Sequence, residues 1–196
     1  MDIICFRPAQ SFGNKGNVVQ GHMDFNLTDK GIKQAKELKD IIQNKNISSS
    51  YVYSSDLIRT LKTAEIVFPD RNIETDERIR EQDFGSVVGS LDSFLESNPE
   101  YLLNNDEAYK KRFPNGENII DVKDRVQKFI SEIIEKHSDT DTVVISMHYT
   151  PLICLLSIIK NESVMNVWPN VHFENCDMIE FKYEDGDFKN IKFNDI

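Results

Sequence analysis

Apolar positions along this chain alternate between short runs and helical repeats. Asp2-Ile3-Ile4-Cys5-Phe6 is a short run that predicts a strand, and after Arg7 it gives way to a polar, glycine-bearing loop lasting to Leu27-Thr28. Ile32, Ala35, Leu38 and Ile41-Ile42 then recur at the spacing of one helix face, with Thr28 placed as cap and Asp29 in the first turn. Tyr51-Val52-Tyr53 predicts a second strand. Ser54, Ser55 and Asp56 are candidate caps for a helix with apolar positions Leu57, Leu61, Ala64 and Val67, ending before Pro69. A third strand is expected between Ile73 and Ile79. Ile119 to Ile134 marks a long amphipathic helix, and Thr142 to Ser146 a buried-type strand of β-branched residues. Leu152 to Ile159 continues as an apolar helix after Pro151, which suits a first turn. Asp177 to Tyr183 and Phe188 to Phe193, joined by Glu184-Asp185-Gly186-Asp187, predict a closing hairpin.

Strands alternating with helices predict an α/β fold, a three-layer αβα sandwich whose mostly parallel central sheet ends in the C-terminal hairpin. The pattern weakens only from Glu81 to Asn115, where Gly85, Gly89, Pro99 and Pro114 interrupt it. A lid or insertion is expected there, at 81–115, within a single domain spanning 1–196.

Composition narrows the partners. With 196 residues and 39% hydrophobic content the chain can bury one substantial core. A net charge of −10 sets a long-range field against nucleic acid and anionic membrane, and neither is expected as a partner. A compact cationic pocket is compatible with that charge, because charges beyond about 8 Å are largely screened at physiological salt. Cys5, Cys154 and Cys176 are widely spaced in apolar surroundings and read as core thiols. The N-terminus lacks a basic and apolar leader pattern, and no window approaches a membrane-spanning apolar run, so a cytoplasmic, soluble protein is expected.

In an open α/β sheet ligands sit beyond the carboxyl ends of the strands, so the residues that follow each strand are the candidates for function. They are Arg7, Asn14 and Gln20-Gly21 after the first strand, and Ser54-Ser55 with Arg59 after the second. Glu81 follows the third and His148 the fourth. Two arginines bring forked donors that match phosphate oxygens, a histidine adds another donor, and helix N-termini add partial positive charge. Taken singly, each arginine reads as a surface residue, His148 as a histidine bonded to a backbone carbonyl, and Glu81 as part of the solvated run Asp76-Glu77-Arg78-Ile79-Arg80-Glu81. Taken together they describe an oxyanion cup. No carboxylate or cysteine pair has ligand spacing, and neither a metal nor another cofactor is expected. Pro8, directly after Arg7, offers no acid, base, nucleophile or backbone N–H.

The ordered set resembles the histidine phosphatase superfamily, the phosphoglycerate mutase-like group. Its opening pattern is matched by Arg7-Pro8-Ala9-Gln10-Ser11, Asn14, Gln20-Gly21, Asp24, Leu27-Thr28, Gly31 and Gln34-Ala35. The match resumes at Ser54-Ser55, Leu57, Arg59 and Thr63-Ala64-Glu65, and at Arg80-Glu81-Gln82-Asp83-Phe84-Gly85 with Gly89. It continues at Pro114-Asn115-Gly116-Glu117 and Val144-Ile145-Ser146-Met147-His148, and finishes at Asn175-Cys176. Any one piece is weak, but the series covers nearly the whole chain. The resemblance implies a phosphoglycerate mutase-like fold and a pocket in which Arg7, Asn14, Arg59 and His148 hold phosphoryl oxygens. It further implies Gln20-Gly21 in the substrate loop and Glu81 as the group that protonates the leaving oxygen. In that family the histidine after the first arginine attacks phosphorus, and here that position is Pro8. Tyr149-Thr150 is a second departure, standing where the family has small residues, and its bulk is expected to narrow the pocket.

Binding therefore carries over and the nucleophile does not. Loss of an activated nucleophile costs on the order of 10⁴ to 10⁶ in turnover, while the remaining donors keep roughly 10³ to 10⁴ over water. The expected function is binding of inorganic phosphate or a small phosphomonoester by a degenerate phosphatase of weak or no activity. The alternative is an active phosphomonoester hydrolase working by another route through Glu81 and His148, and a third reading is a scaffold that keeps the pocket as a relic. Mutase activity ranks behind phosphatase ancestry, because the segment between Gly89 and Pro114 is shorter than the insertion with which cofactor-dependent mutases grip a carboxylated substrate. Tyr109, Lys110, Lys111 and Arg112 read there either as a contact to an anionic substrate or as a basic, solvated helix end.

Overall fold

A computed structural model describes residues 1–89, 91–101 and 107–194. Strands β1 (Asp2–Phe6), β2 (Tyr51–Ser54), β3 (Ile73–Thr75), β4 (Thr142–Ser146), β5 (Met178–Glu184) and β6 (Asp187–Asn194) form one sheet in the order β3-β2-β4-β1-β5-β6. The first four are parallel, and β5 and β6 run antiparallel to their neighbours. Asp185 and Gly186 turn the final hairpin at φ of 56° and 82°, the left-handed geometry that an Asp-Gly pair supplies. The helices among the described residues are α1 (Phe12–Lys15), α2 (Asp29–Asn44), α3 (Ile58–Val67), α4 (Leu91–Ser97), α5 (Ile119–Lys136), α6 (Tyr149–Ile159) and α7 (Val164–Val167). None of them is long and apolar enough to cross a membrane.

Strand periodicity explains the three layers. Along β1, Ile3 and Cys5 join the core under α5 and α6, while Ile4 and Phe6 join the core under α2 and α3. Burial on both faces is why β1 and β4 read as continuous apolar runs. On the outer layers one stripe of each helix suffices: Ala35, Leu38 and Ile42 from α2, and Val122, Val126, Phe129, Ile130 and Ile133 from α5. The three cysteines are free and buried, as expected of core thiols.

Register brings the strand ends together. Phe6 and Ser54 both stand opposite Ser146, so β1, β2 and β4 finish level and Arg7, Ser55 and Met147-His148 emerge side by side.

Three local expectations are corrected. The third strand stops at Thr75, because the Asp76 carboxylate accepts from the Arg78 N–H at 2.8 Å and starts a 3-10 turn over Glu77–Ile79. None of Ser54, Ser55 and Asp56 caps α3, whose cap position is Leu57. Instead the Ile58 N–H donates to the Asp24 carboxylate at 2.8 Å, and Asp56 is held by the Arg80 guanidinium. The loop after Arg7 contains one unforeseen turn of helix, α1, closed by reciprocal bonds between Ser11 and Asn14.

Of the expected insertion, Ser90 and residues 102–106 lie outside the described residues. Its two ends meet. A side chain on Gly85 (φ 55°) would sit 2.2 Å from the Pro114 carbonyl oxygen, and one on Gly116 would sit 2.4 Å from that of Asp83, so glycine alone fits either position. The Ser86 N–H donates to Pro114 at 2.9 Å and the Glu117 N–H to Asp83 at 2.8 Å, which ties the neck closed.

Candidate active site

A cavity of about 490 Å³ opens at the rim where β1, β2 and β4 end. Arg7, Pro8, Asn14, Gln20, Gly21, Arg59, Glu81 and His148 all line it, whereas Ser54 and Ser55 do not: Ser55 stands behind His148, and the Ser54 hydroxyl donates to the Ser55 carbonyl.

Arg59 stands one turn into α3 and is 3% exposed. Its Nη1 donates to the Met23 carbonyl at 2.8 Å and its Nη2 to the Gly21 carbonyl at 2.9 Å, so the loop after Gln20 positions the guanidinium. Burial draws its pKa down, the Glu81 and Asp24 carboxylates oppose that, and Arg7 adds to it. A guanidinium stays charged throughout. Arg7 donates to the Phe173 carbonyl, and its guanidinium carbon lies 5.4 Å from the centre of the Tyr149 ring. Tyr149 lines the cavity, and its ring is the platform under Arg7.

His148 caps α6 and is 2% exposed. Its Nε2 lies 2.8 Å from Thr60 Oγ1 and 3.0 Å from Ser55 Oγ. Burial first, then the charges of Arg59, Arg125 and Arg7, hold its pKa well below 6.5, so the ring is neutral at pH 7. Among the described hydrogen bonds the Thr60 hydroxyl has only Nε2 as acceptor. Nε2 then accepts and the single ring proton sits on Nδ1, which makes no described hydrogen bond. A neutral histidine thus still presents an N–H donor to an anion.

Glu81 is anchored on one side. Its Oε1 accepts from the Gln82 N–H at 2.9 Å and from the Thr150 N–H at 3.2 Å, in the first turn of α6, while Oε2 makes no described hydrogen bond. Ser11 Oγ lies 2.8 Å from Gln20 Oε1 and 3.0 Å from Asn14 Oδ1. With both amide oxygens held, the NH₂ ends of Asn14 and Gln20 are the parts left for a ligand.

Two residues of this assembly were given no role from the sequence, although Asn175 closes the family pattern. Asn175 lines the cavity, and its Nδ2 donates to the Pro8 carbonyl at 2.9 Å. Arg125 uses all five N–H groups: Nε and Nη2 on Glu117 at 2.9 and 3.0 Å, Nη1 on the Arg78 and Arg80 carbonyls, and Nη2 again on the Glu81 carbonyl at 2.8 Å. The second bond to that carbonyl comes from His22 Nε2 at 2.8 Å. Glu81 is thus fixed by a guanidinium that never reaches the cavity. The sequence signal for Asn175 was its place in the family pattern, whereas Arg125 reads as one more charge on an amphipathic helix. Among the described residues no group of His, Cys, Asp and Glu side chains is arranged to hold a metal ion.

The strand order of the sheet and the helices on its two faces define a phosphoglycerate mutase-like fold. The sequence profile of the histidine phosphatase superfamily (branch 1) matches residues 3–196, and the chain belongs to that family. Among curated proteins it is similar to phosphoserine phosphatase 1 of Hydrogenobacter thermophilus, 31% identical over 170 residues that cover 85% of this chain and 79% of the relative. A probable phosphoglycerate mutase GpmB of Salmonella paratyphi C is 28% identical over 193 residues, covering 94% and 86%. Among solved structures, Bacillus stearothermophilus YhfR superposes with a TM-score of 0.82 at 25% identity, covering 95% of this chain and 93% of the other. A mutant phosphoserine phosphatase from Entamoeba histolytica, solved with phosphoserine, shares the fold with a TM-score of 0.84 at 21% identity, covering 98% and 96%.

Proposed function

We propose that this chain binds inorganic phosphate or a small phosphomonoester and has lost covalent phosphoryl transfer. The observation that carries the reading is Pro8, a cavity-lining ring next to Arg7 with no atom able to attack phosphorus. Among the described residues no neighbour supplies a replacement. Cys5 is fully buried, and burial pushes its thiol pKa far up. His22 does not line the cavity and its Nε2 donates to the Glu81 carbonyl, while the Nε2 of His148 is engaged with the Thr60 hydroxyl, so neither ring is placed to attack in the cup. Retention of both arginines, Asn14 and His148 around one chamber supports anion binding. The names of the similar proteins, a phosphoserine phosphatase and a probable phosphoglycerate mutase, support a small phosphorylated ligand.

One observation favours a second reading, a hydrolase in which water attacks directly: the Oε2 atom of Glu81 is left unbonded among the described residues, where it can protonate a leaving oxygen. The two readings separate in a p-nitrophenyl phosphate assay. Turnover by the unmodified chain is expected near background, and Pro8→His is expected to raise it while forming an acid-labile phosphoenzyme. Turnover at ordinary enzyme rates, about 1 to 10³ s⁻¹, by the unmodified chain would decide for the hydrolase.

A further inference from the structure

Beyond the cup, the cavity changes character. Val18, Phe84, Leu95, Tyr101, Phe113 and Trp168 form its outer wall. The rings pack on one another, with Phe84 and Tyr101 each 5.2 Å from Phe113 between centroids and Trp168 5.6 Å from Tyr149. No lysine lines the chamber among the described residues, and its only arginines, Arg7 and Arg59, stand at the cup. The undescribed part of the insertion, Ser90 and the sequence Leu-Leu-Asn-Asn-Asp over 102–106, contains no cationic residue either. The basic stretch from which a contact to an anionic substrate was considered is engaged elsewhere. Lys110 pairs with Glu107 at 2.8 Å, Lys111 lies 3.8 Å from Glu100, and Arg112 pairs with Asp121. None of the three lines the cavity.

We propose that the organic part of the ligand is apolar and uncharged, an aromatic or similarly hydrophobic phosphomonoester and not a phosphorylated amino acid or sugar acid. The proposal rests on reading the cup as a phosphate site. A second anionic group in the outer chamber would be desolvated with no cation to meet it, against a chain whose net charge is −10. An apolar group there removes its own surface and that of the aromatic wall from water, and this gain scales with the area covered.

Isothermal titration of the full chain with inorganic phosphate, phosphoserine, 3-phosphoglycerate and 1-naphthyl phosphate tests the assignment. The naphthyl ester is expected to bind at least about tenfold more tightly than inorganic phosphate, and the two carboxylated esters no more tightly than phosphate. Leu95→Arg, on the half-buried face of α4, is expected to invert the order by giving a carboxylate its partner, and Val18→Arg, at a lining position on a different loop, provides an independent second variant. Phosphoserine binding as tight as the naphthyl ester in the unmodified chain would overturn the apolar assignment and leave the phosphate cup standing. Failure of every probe, inorganic phosphate included, would overturn the cup and the assignment together.

Discussion

Asn175 donates its side-chain amide to the carbonyl oxygen of Pro8 at 2.9 Å, linking the segment before β5 to the end of β1. The bond spans the sheet's one parallel-to-antiparallel boundary, since β1 pairs with β4 on one side and β5 on the other. It holds the backbone of residue 8 whatever side chain stands there. Asn175→Ala is expected to destabilise the fold by about 1 kcal/mol in urea unfolding, the usual net worth of one such bond. It is also expected to lower the phosphoenzyme yield when combined with Pro8→His. An undiminished yield would show that the carbonyl needs no anchor.

Arg7 meets two neighbours through its planar group, the Phe173 carbonyl and the Tyr149 ring. A lysine keeps the charge but loses the fork and the flat stacking surface. Arg7→Lys is therefore expected to weaken inorganic phosphate binding by about tenfold in calorimetry with little change in stability. Equal affinity would mean that charge alone recruits the anion.

His148 titrates differently in the folded and unfolded chain. Unfolded, it takes up a proton near its ordinary value of 6.5; folded, burial and three arginines keep it neutral to far lower pH. Below 6.5 the unfolded state holds the extra proton, so the stability associated with this group is full above that pH and is lost as pH falls. Its share of the slope is at most about 1.4 kcal/mol per pH unit. Unfolding free energy is expected to drop between about pH 7 and pH 5, and His148→Gln is expected to flatten that drop. A profile unchanged by the substitution would show that protons reach the folded ring freely.

Arg125 and Glu117 are each under one-fifth exposed, and together they brace the backbone of Arg78, Arg80 and Glu81. Arg125→Met strips the Glu117 carboxylate of its cation and removes the guanidinium bonds to the Arg78, Arg80 and Glu81 carbonyls, and a loss of about 3 kcal/mol is expected in chemical unfolding. In the Pro8→His background, Arg125→Met is expected to reduce turnover through misplacement of Glu81. Stability within error of the parent would show that water replaces the guanidinium.

Much of this was readable from the chain, for definable reasons. β1, β4 and the last hairpin are legible because two-sided burial forces continuous apolar runs and an Asp-Gly pair forces a turn. The cup is legible because Arg7, Arg59, Glu81 and His148 follow strand ends in a fixed order. The shortened β3 was not, since a one-residue choice by the Asp76 side chain between strand and cap leaves no periodic trace. Nor was the Arg125 brace, whose partners lie up to 47 residues away and are mostly carbonyl groups that every residue carries. The aromatic wall is scattered through the sequence at Phe84, Tyr101, Phe113 and Trp168 without repeat, so only the folded chain assembles it.

The glycine-pinned neck at Gly85 and Gly116 makes the stretch it encloses a cassette. Because that stretch leaves and rejoins the sheet's body at one pinned point, changes in its length leave the strand ends of the sheet where they are. The part of the cavity wall that Leu95, Tyr101 and Phe113 supply is thereby carried on a different stretch of chain from Arg7, Arg59 and His148.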